Sequence, residues 1–125
     1  MSADEARVWE IVERFNEAFE ANDAELFFSF VDDEISVLTP NSPYRVEGII
    51  DDREEIEFGL IQGYGTVELW QAFQPDVRVF GDGAVATFYV RAFFTLQSEM
   101  TYYKLTNVLV REGDRWKILH IHVSD

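Results

Sequence analysis

The sequence predicts an α+β fold: a cone-shaped, curved antiparallel β-sheet of about six strands with three helices on its concave side. Three observations predict it. The chain opens with an acidic segment whose apolar residues recur at helical spacing. Everything after Gly65 reads as four long strands joined by connections too short to allow anything but antiparallel neighbours. Pro75 interrupts the first of these strands, and because proline cannot donate to a ladder, a bulge or bend there lets the sheet curl.

The elements follow in order. Ser2 and Glu5 have capping-box spacing, and Val8, Ile11, Val12, Phe15, Ala18 and Phe19 mark the buried stripe of a helix from about Ala3 to Ala21. Asn22 ends it. Asp23 caps a second, shorter helix with Leu26, Phe27 and Phe30 on its buried side, closed by Asp32–Asp33. Ile35–Thr39 is a short strand, the Pro40–Pro43 cluster a turn, and Tyr44–Glu47 a second short strand that Gly48 breaks. Asp51 or Asp52 caps a third helix through about Ile61, which Gly63 and Gly65 terminate. The long strands are Thr66–Phe80, Ala84–Gln97, Met100–Arg111 and Arg115–Val123, with turns at Gly81–Asp82–Gly83, Ser98–Glu99 and Gly113–Asp114. No repeat, linker or low-complexity segment divides the chain, so residues 1–125 are expected to form one domain.

Composition bounds the function. The 125 residues are 47% hydrophobic, with eleven Phe, five Tyr and three Trp, enough for one large-ringed core. No apolar run approaches the roughly 18 residues of a membrane span, and Met1–Glu10 shows no basic and then apolar leader pattern, so a cytoplasmic location is expected. There is no cysteine, which excludes disulfides and thiolate metal sites. The 24 acids against 10 bases give a net charge of −14, a surface that repels nucleic acid and anionic membranes. Eight of the ten bases are arginine, which fits either a salt-adapted cytoplasm or an ordinary acidic protein.

Short motifs in sequence order carry a resemblance. Asn22–Asp23, Thr39–Pro40, Val46–Glu47–Gly48, Gly81–Asp82 with Ala84, Tyr89–Val90–Arg91, and Gly113–Asp114–Arg115–Trp116 leading to His120–Ile121–His122–Val123–Ser124 together cover nearly the whole chain. In this order the chain resembles the nuclear transport factor 2 (NTF2)-like superfamily, and within it the SnoaL-like proteins and the association (hub) domain of calcium/calmodulin-dependent protein kinase II. The resemblance implies the NTF2-like, cystatin-like roll and a homodimer or larger homo-oligomer formed by packing sheet faces. It leaves two classes of function open. One is a module that binds a small organic molecule or carboxylate, or that assembles with itself. The other is a SnoaL-like enzyme, a cyclase, isomerase, dehydratase or hydrolase, using a histidine as acid or base in the cone.

The isomerases of this superfamily use an Asp before the Pro that follows the first strand and a first-helix Tyr. Here those positions hold Thr39 and Phe15, which offer neither a carboxylate base nor a hydroxyl donor. Isomerase chemistry of that type is disfavoured. Arg91 is the leading site candidate, because a guanidinium among Phe88, Tyr89, Val90, Ala92 and Phe93 must be paired or face a pocket. The hub resemblance implies a carboxylate-binding role for it; an ion pair with Glu68 or Glu99, or a place at a dimer interface, explains it equally well. Asn107 stands where the same resemblance expects a second arginine, and it can hydrogen-bond a polar ligand or neighbouring backbone.

Tyr89, Tyr102, Tyr103, Trp70 and Phe93 could line a pocket with rings or simply fill the core. Regular alternation places Trp116, Ile118, His120, His122 and Ser124 on one face, and pairing through the hairpin turn sets His120 near Asn107 and His122 near Leu105. The histidines suit acid–base chemistry, a shared zinc ion for which no third ligand is signposted, or a satisfied place at a strand end or subunit interface. No cofactor and no metal ligand is assigned.

Overall fold

The computed structural model describes residues 1–40, 45–48 and 66–125. The expected third helix, Tyr44, and most of the Pro40–Pro43 turn lie outside the described residues.

The first helix, α1, spans Ala3–Glu20 and opens with the expected capping box: Ser2 Oγ accepts from the Glu5 amide at 3.1 Å, and Glu5 Oε1 accepts from the Ser2 amide at 2.7 Å. It ends at Asn22, whose φ of 56° is the left-handed stop that asparagine tolerates. Asp23 then caps α2, Ala24–Ser29, through the Leu26 amide. The buried side of α2 is Phe27 and Phe28, while Leu26 is 45% exposed and Phe30 half-buried. Phe27 is fixed by Phe15, stacked on it at 4.2 Å, and a six-residue helix held at that point turns Phe28 inward in place of its neighbours.

Strand β1, Val31–Leu38, starts earlier than the Ile35–Thr39 of the sequence pattern. Asp32 and Asp33 are therefore strand residues, drawn in because Val31 already pairs with Ile118 of the last strand. The others are β2, Val46–Glu47; β3, Val67–Phe80; β4, Gly83–Phe94; β5, Thr101–Glu112; and β6, Arg115–Ser124. Among the described residues they form one six-stranded sheet in the order β2-β1-β6-β5-β4-β3. Every pair is antiparallel except β1 with β6, which is parallel: β1 follows α2 and enters the sheet at the edge of the last hairpin. The expected break in β3 is a register shift between Phe73 and Asp76, where Gln74 takes a φ of 54°.

One face of the sheet is covered by α1. Phe19 packs edge-on against Trp70 of β3 at 4.6 Å, and Trp9 against Phe88 of β4 at 5.4 Å. Under the helix, alternate residues of β4, Ala84, Ala86, Phe88, Val90, Ala92 and Phe94, are all buried. The intervening Thr87, Tyr89 and Arg91 are exposed, so the opposite, outer face is open in the single chain. No helix among the described residues is long and apolar enough to cross a membrane.

Candidate functional site

On the helix-covered face, β5 presents Tyr103, Leu105, Asn107 and Leu109 in alternation. Asn107 lies between Ala86 of β4 and Ile121 of β6, and it is only 1% exposed. Among the described residues neither its Oδ1 nor its Nδ2 has a hydrogen-bond partner. A primary amide with both ends unpaired inside an apolar sheet is a costly arrangement, and among the described residues its two atoms are the only buried side-chain nitrogen and oxygen atoms left without a partner.

Trp70 and Tyr103 share that face, with rings 5.6 Å apart. The Trp70 indole N–H is already committed, donating to Asn16 Oδ1 at 2.8 Å, while Asn16 Nδ2 donates to the Val12 carbonyl at 2.7 Å. The Trp70 amide also donates to Glu20 Oε2 at 2.8 Å. Asn16 and Glu20 thus pin α1 to β3, a pair of roles the sequence reading did not assign. The signal was present: Asn16 stands four residues after Val12 and three before Phe19, on the apolar stripe of α1, where a polar side chain must find a partner.

The remaining candidates lie elsewhere. Tyr89 is 43% exposed on the outer face and leans on Phe73 at 5.7 Å. Arg91, beside it on β4, is exposed, and its Nε donates to Gln71 Oε1 at 2.6 Å. Its hydrogen-bond partner is thus a neutral amide across the β3–β4 pair. Glu68 is exposed at an irregularity near the start of β3. Arg91 borders a cleft of about 460 Å³ at the β3 edge, whose other charged lining residues are Glu13, Glu17 and Glu20 of α1. Arg91 and Asn107 point to opposite faces of the sheet, so the structure does not bring them to one ligand.

The two histidines are placed differently from the sequence expectation. A register shift between Val108 and Leu109 makes Leu119 an extra residue on β6, so Leu109 pairs with Ile118 but Val108 with His120. One inserted residue exchanges the faces of everything beyond it. Trp116 and Ile118 are buried before the bulge, and Ile121 and Val123 after it. His120 and His122 therefore sit on the outer face, opposite Val108 and Thr106, not beside Asn107 and Leu105. These are the only histidines of the chain, so the helix-covered face has none to serve as acid or base. On the other side of β6, Ser36 of β1 pairs with His120, and its Oγ lies 2.8 Å from His120 Nδ1. Partial burial holds the His120 pKa below the ordinary histidine value, reinforced by His122 and Arg45 and opposed by the Ser36 backbone.

A carboxyl pair completes the charged features. Asp32 at the start of β1 meets Glu112 at the end of β5. Interaction with Glu112, the Glu34 amide at 2.9 Å and Lys117 hold Asp32 below its usual range, while the interaction with Asp32 pushes Glu112 up. Phe15 is buried in the core.

The sequence profile of the SnoaL-like domain matches residues 8–124. The chain belongs to the SnoaL-like domain family. Among solved structures it is similar to an NTF2-like protein of unknown function from Pseudomonas putida, at 20% identity over 99% of this chain and 87% of that one, with a TM-score of 0.86. It is also similar to the CaMKII hub of S. rosetta, at 20% identity over 99% and 98% of the two chains and a TM-score of 0.83. The association domain of C. elegans CaMKII follows at 18% identity, 98% and 96% coverage, and a TM-score of 0.81. These likenesses place this SnoaL-like chain in the NTF2-like fold. No curated protein matches its sequence.

Proposed function

We propose that this SnoaL-like protein is a self-associating module that holds a small oxygenated organic molecule against the helix-covered face of its sheet, with Asn107 as the polar contact. The observation that carries the reading is the buried Asn107 amide with neither end paired among the described residues. Its Nδ2 can donate to a carbonyl or carboxylate oxygen while its Oδ1 accepts from a hydroxyl, amide or protonated acid, and apolar neighbours supply the rest of the contact. Trp70 has its indole N–H engaged and contributes ring surface. Self-association is supported by the likeness to CaMKII hub and association domains and by the exposed Tyr89 and Tyr102 on the outer face.

Thermal-shift measurements with small carboxylic acids and their amides test the binding role, comparing the wild type with Asn107→Leu and Arg91→Ala. At least one compound is expected to stabilise the wild type and Arg91→Ala but not Asn107→Leu. Equal stabilisation of Asn107→Leu, or none of any variant, overturns it. Sedimentation velocity over a dilution series tests self-association, which a concentration-independent monomer would exclude.

A further inference from the structure

The outer face carries a side-chain group with no part in the binding role proposed above: Ser36, His120 and His122. We propose that His120 and His122 form a two-nitrogen site for a divalent transition-metal ion, ligated through their Nε2 atoms, with Ser36 holding His120 in the ligating orientation. Solvent, or a group from another molecule, fills the remaining coordination positions.

The bulge at Leu119 sets the geometry. It turns both histidines outward as residues i and i+2 of one strand, which places their Cα atoms roughly 6.5–7 Å apart on the same face. Two imidazoles leaning together from that spacing can both reach a metal at about 2.0–2.1 Å. The contact from Ser36 supplies what an isolated pair of surface histidines lacks. Ser36 Oγ lies 2.8 Å from His120 Nδ1, and in the tautomer whose Nδ1–H donates to that hydroxyl, Nε2 of His120 carries the lone pair. Ligating histidines are commonly held in this way, the second ring nitrogen spent on a fixed outer partner that selects the tautomer and stops the ring from turning.

The surroundings are permissive. Val108 and Thr106 stand opposite the two rings on β5, and Leu38 is opposite His122 on β1, so these neighbours bring no charge to the site. The net charge of −14 raises the local concentration of cations, against which Arg45 is the nearby opposing charge. Among the described residues no group of three or more histidine, aspartate or glutamate side chains could hold a metal. The two histidines are thus the protein ligands of one copy, and because the outer face is also the one assigned to self-association, a second copy is one source of the remaining donors. Imidazole donors favour Cu²⁺ over Ni²⁺ and Zn²⁺ and suit Mg²⁺ and Ca²⁺ poorly.

Calorimetric titration of the full chain with Cu²⁺, and then with Ni²⁺ and Zn²⁺, is the test. One equivalent of Cu²⁺ is expected, with nitrogen hyperfine structure from two imidazoles in its electron paramagnetic resonance spectrum. His122→Ala, at an exposed position that leaves the core untouched, and His120→Ala should each weaken binding at least about tenfold. Ser36→Ala should weaken it by about 10–100-fold, and Ser36→Thr, which keeps the hydroxyl, should restore it. Imidazole ¹⁵N spectra should show Zn²⁺ perturbing Nε2 of both rings. Affinity unchanged in His122→Ala or His120→Ala, or coordination through Nδ1 of His120, overturns the proposal.

Discussion

At the scale of single residues, burial acts on Asn107 and His120 through different currencies, hydrogen bonding in one and proton binding in the other. Leaving the Asn107 amide unpaired costs about 1–3 kcal/mol, and leucine of similar shape removes the unpaired atoms without opening a cavity. Asn107→Leu is therefore expected to raise the ligand-free melting temperature, by roughly 3–6 °C for each kcal/mol recovered in a domain of this size. Differential scanning calorimetry decides it; a lowered melting temperature would mean that the amide is satisfied in solution. For His120 the folded pKa lies below the unfolded value of about 6.5, so below that pH the unfolded chain binds more protons than the folded one. Its contribution is complete above about pH 6.5 and is lost as the pH falls toward the folded pKa. Unfolding midpoints measured from pH 7.5 to 5.5 should fall less steeply in His120→Gln than in the wild type, and parallel curves would refute that linkage.

Single elements show where the sequence was legible and where it was not. The capping box of α1, the Asp23 cap of α2, the break in β3 and the Gly113 turn were all readable, because each depends on residues within a few positions of one another. Asn107 was legible as a candidate, but its unpaired state depends on Ala86 and Ile121 from two other strands. The face of the histidines was misread because alternation is a parity argument, and one bulge inverts it. The Ser36–His120 and Asp32–Glu112 contacts were beyond reach, because both follow from β1 entering parallel to β6, which no local spacing encodes. Deleting Leu119 tests the bulge directly. Without it, burying Trp116 and Ile118 would turn Ile121 and Val123 to solvent, forfeiting about 1.5–3 kcal/mol for each. That loss is a large part of a typical stability of about 5–15 kcal/mol. The deletion variant should have a much lower urea midpoint or no cooperative transition, and a wild-type midpoint would show that β6 tolerates either register.

Over the whole molecule, 24 acids face 10 bases, and little in the described structure offsets the imbalance. The ion pairs Arg7–Glu10, Arg78–Asp76 and Arg111–Asp82 all involve exposed carboxylates, and pairs of that kind contribute about 0–1 kcal/mol. The same excess reaches into α1. Asp4 and Glu5 complement the positive helix start, but the last turn has no basic residue, and Glu17 and Glu20 face the negative end of the helix dipole. Repulsion among carboxylates therefore exceeds attraction at low salt, and it acts both within one copy and between copies that associate. Raising KCl shortens the screening length from about 10 Å at 0.1 M to about 3 Å at 1 M, which weakens the many longer repulsions more than the few close pairs. The urea midpoint is accordingly expected to rise in molar KCl with little change in the slope of the transition, since the surface exposed on unfolding stays the same. Association measured by sedimentation should strengthen over the same range, because two copies of charge −14 meet with less opposition. If the midpoint is unchanged or falls, the acidic surface carries no stability cost, and its net charge acts on solubility alone.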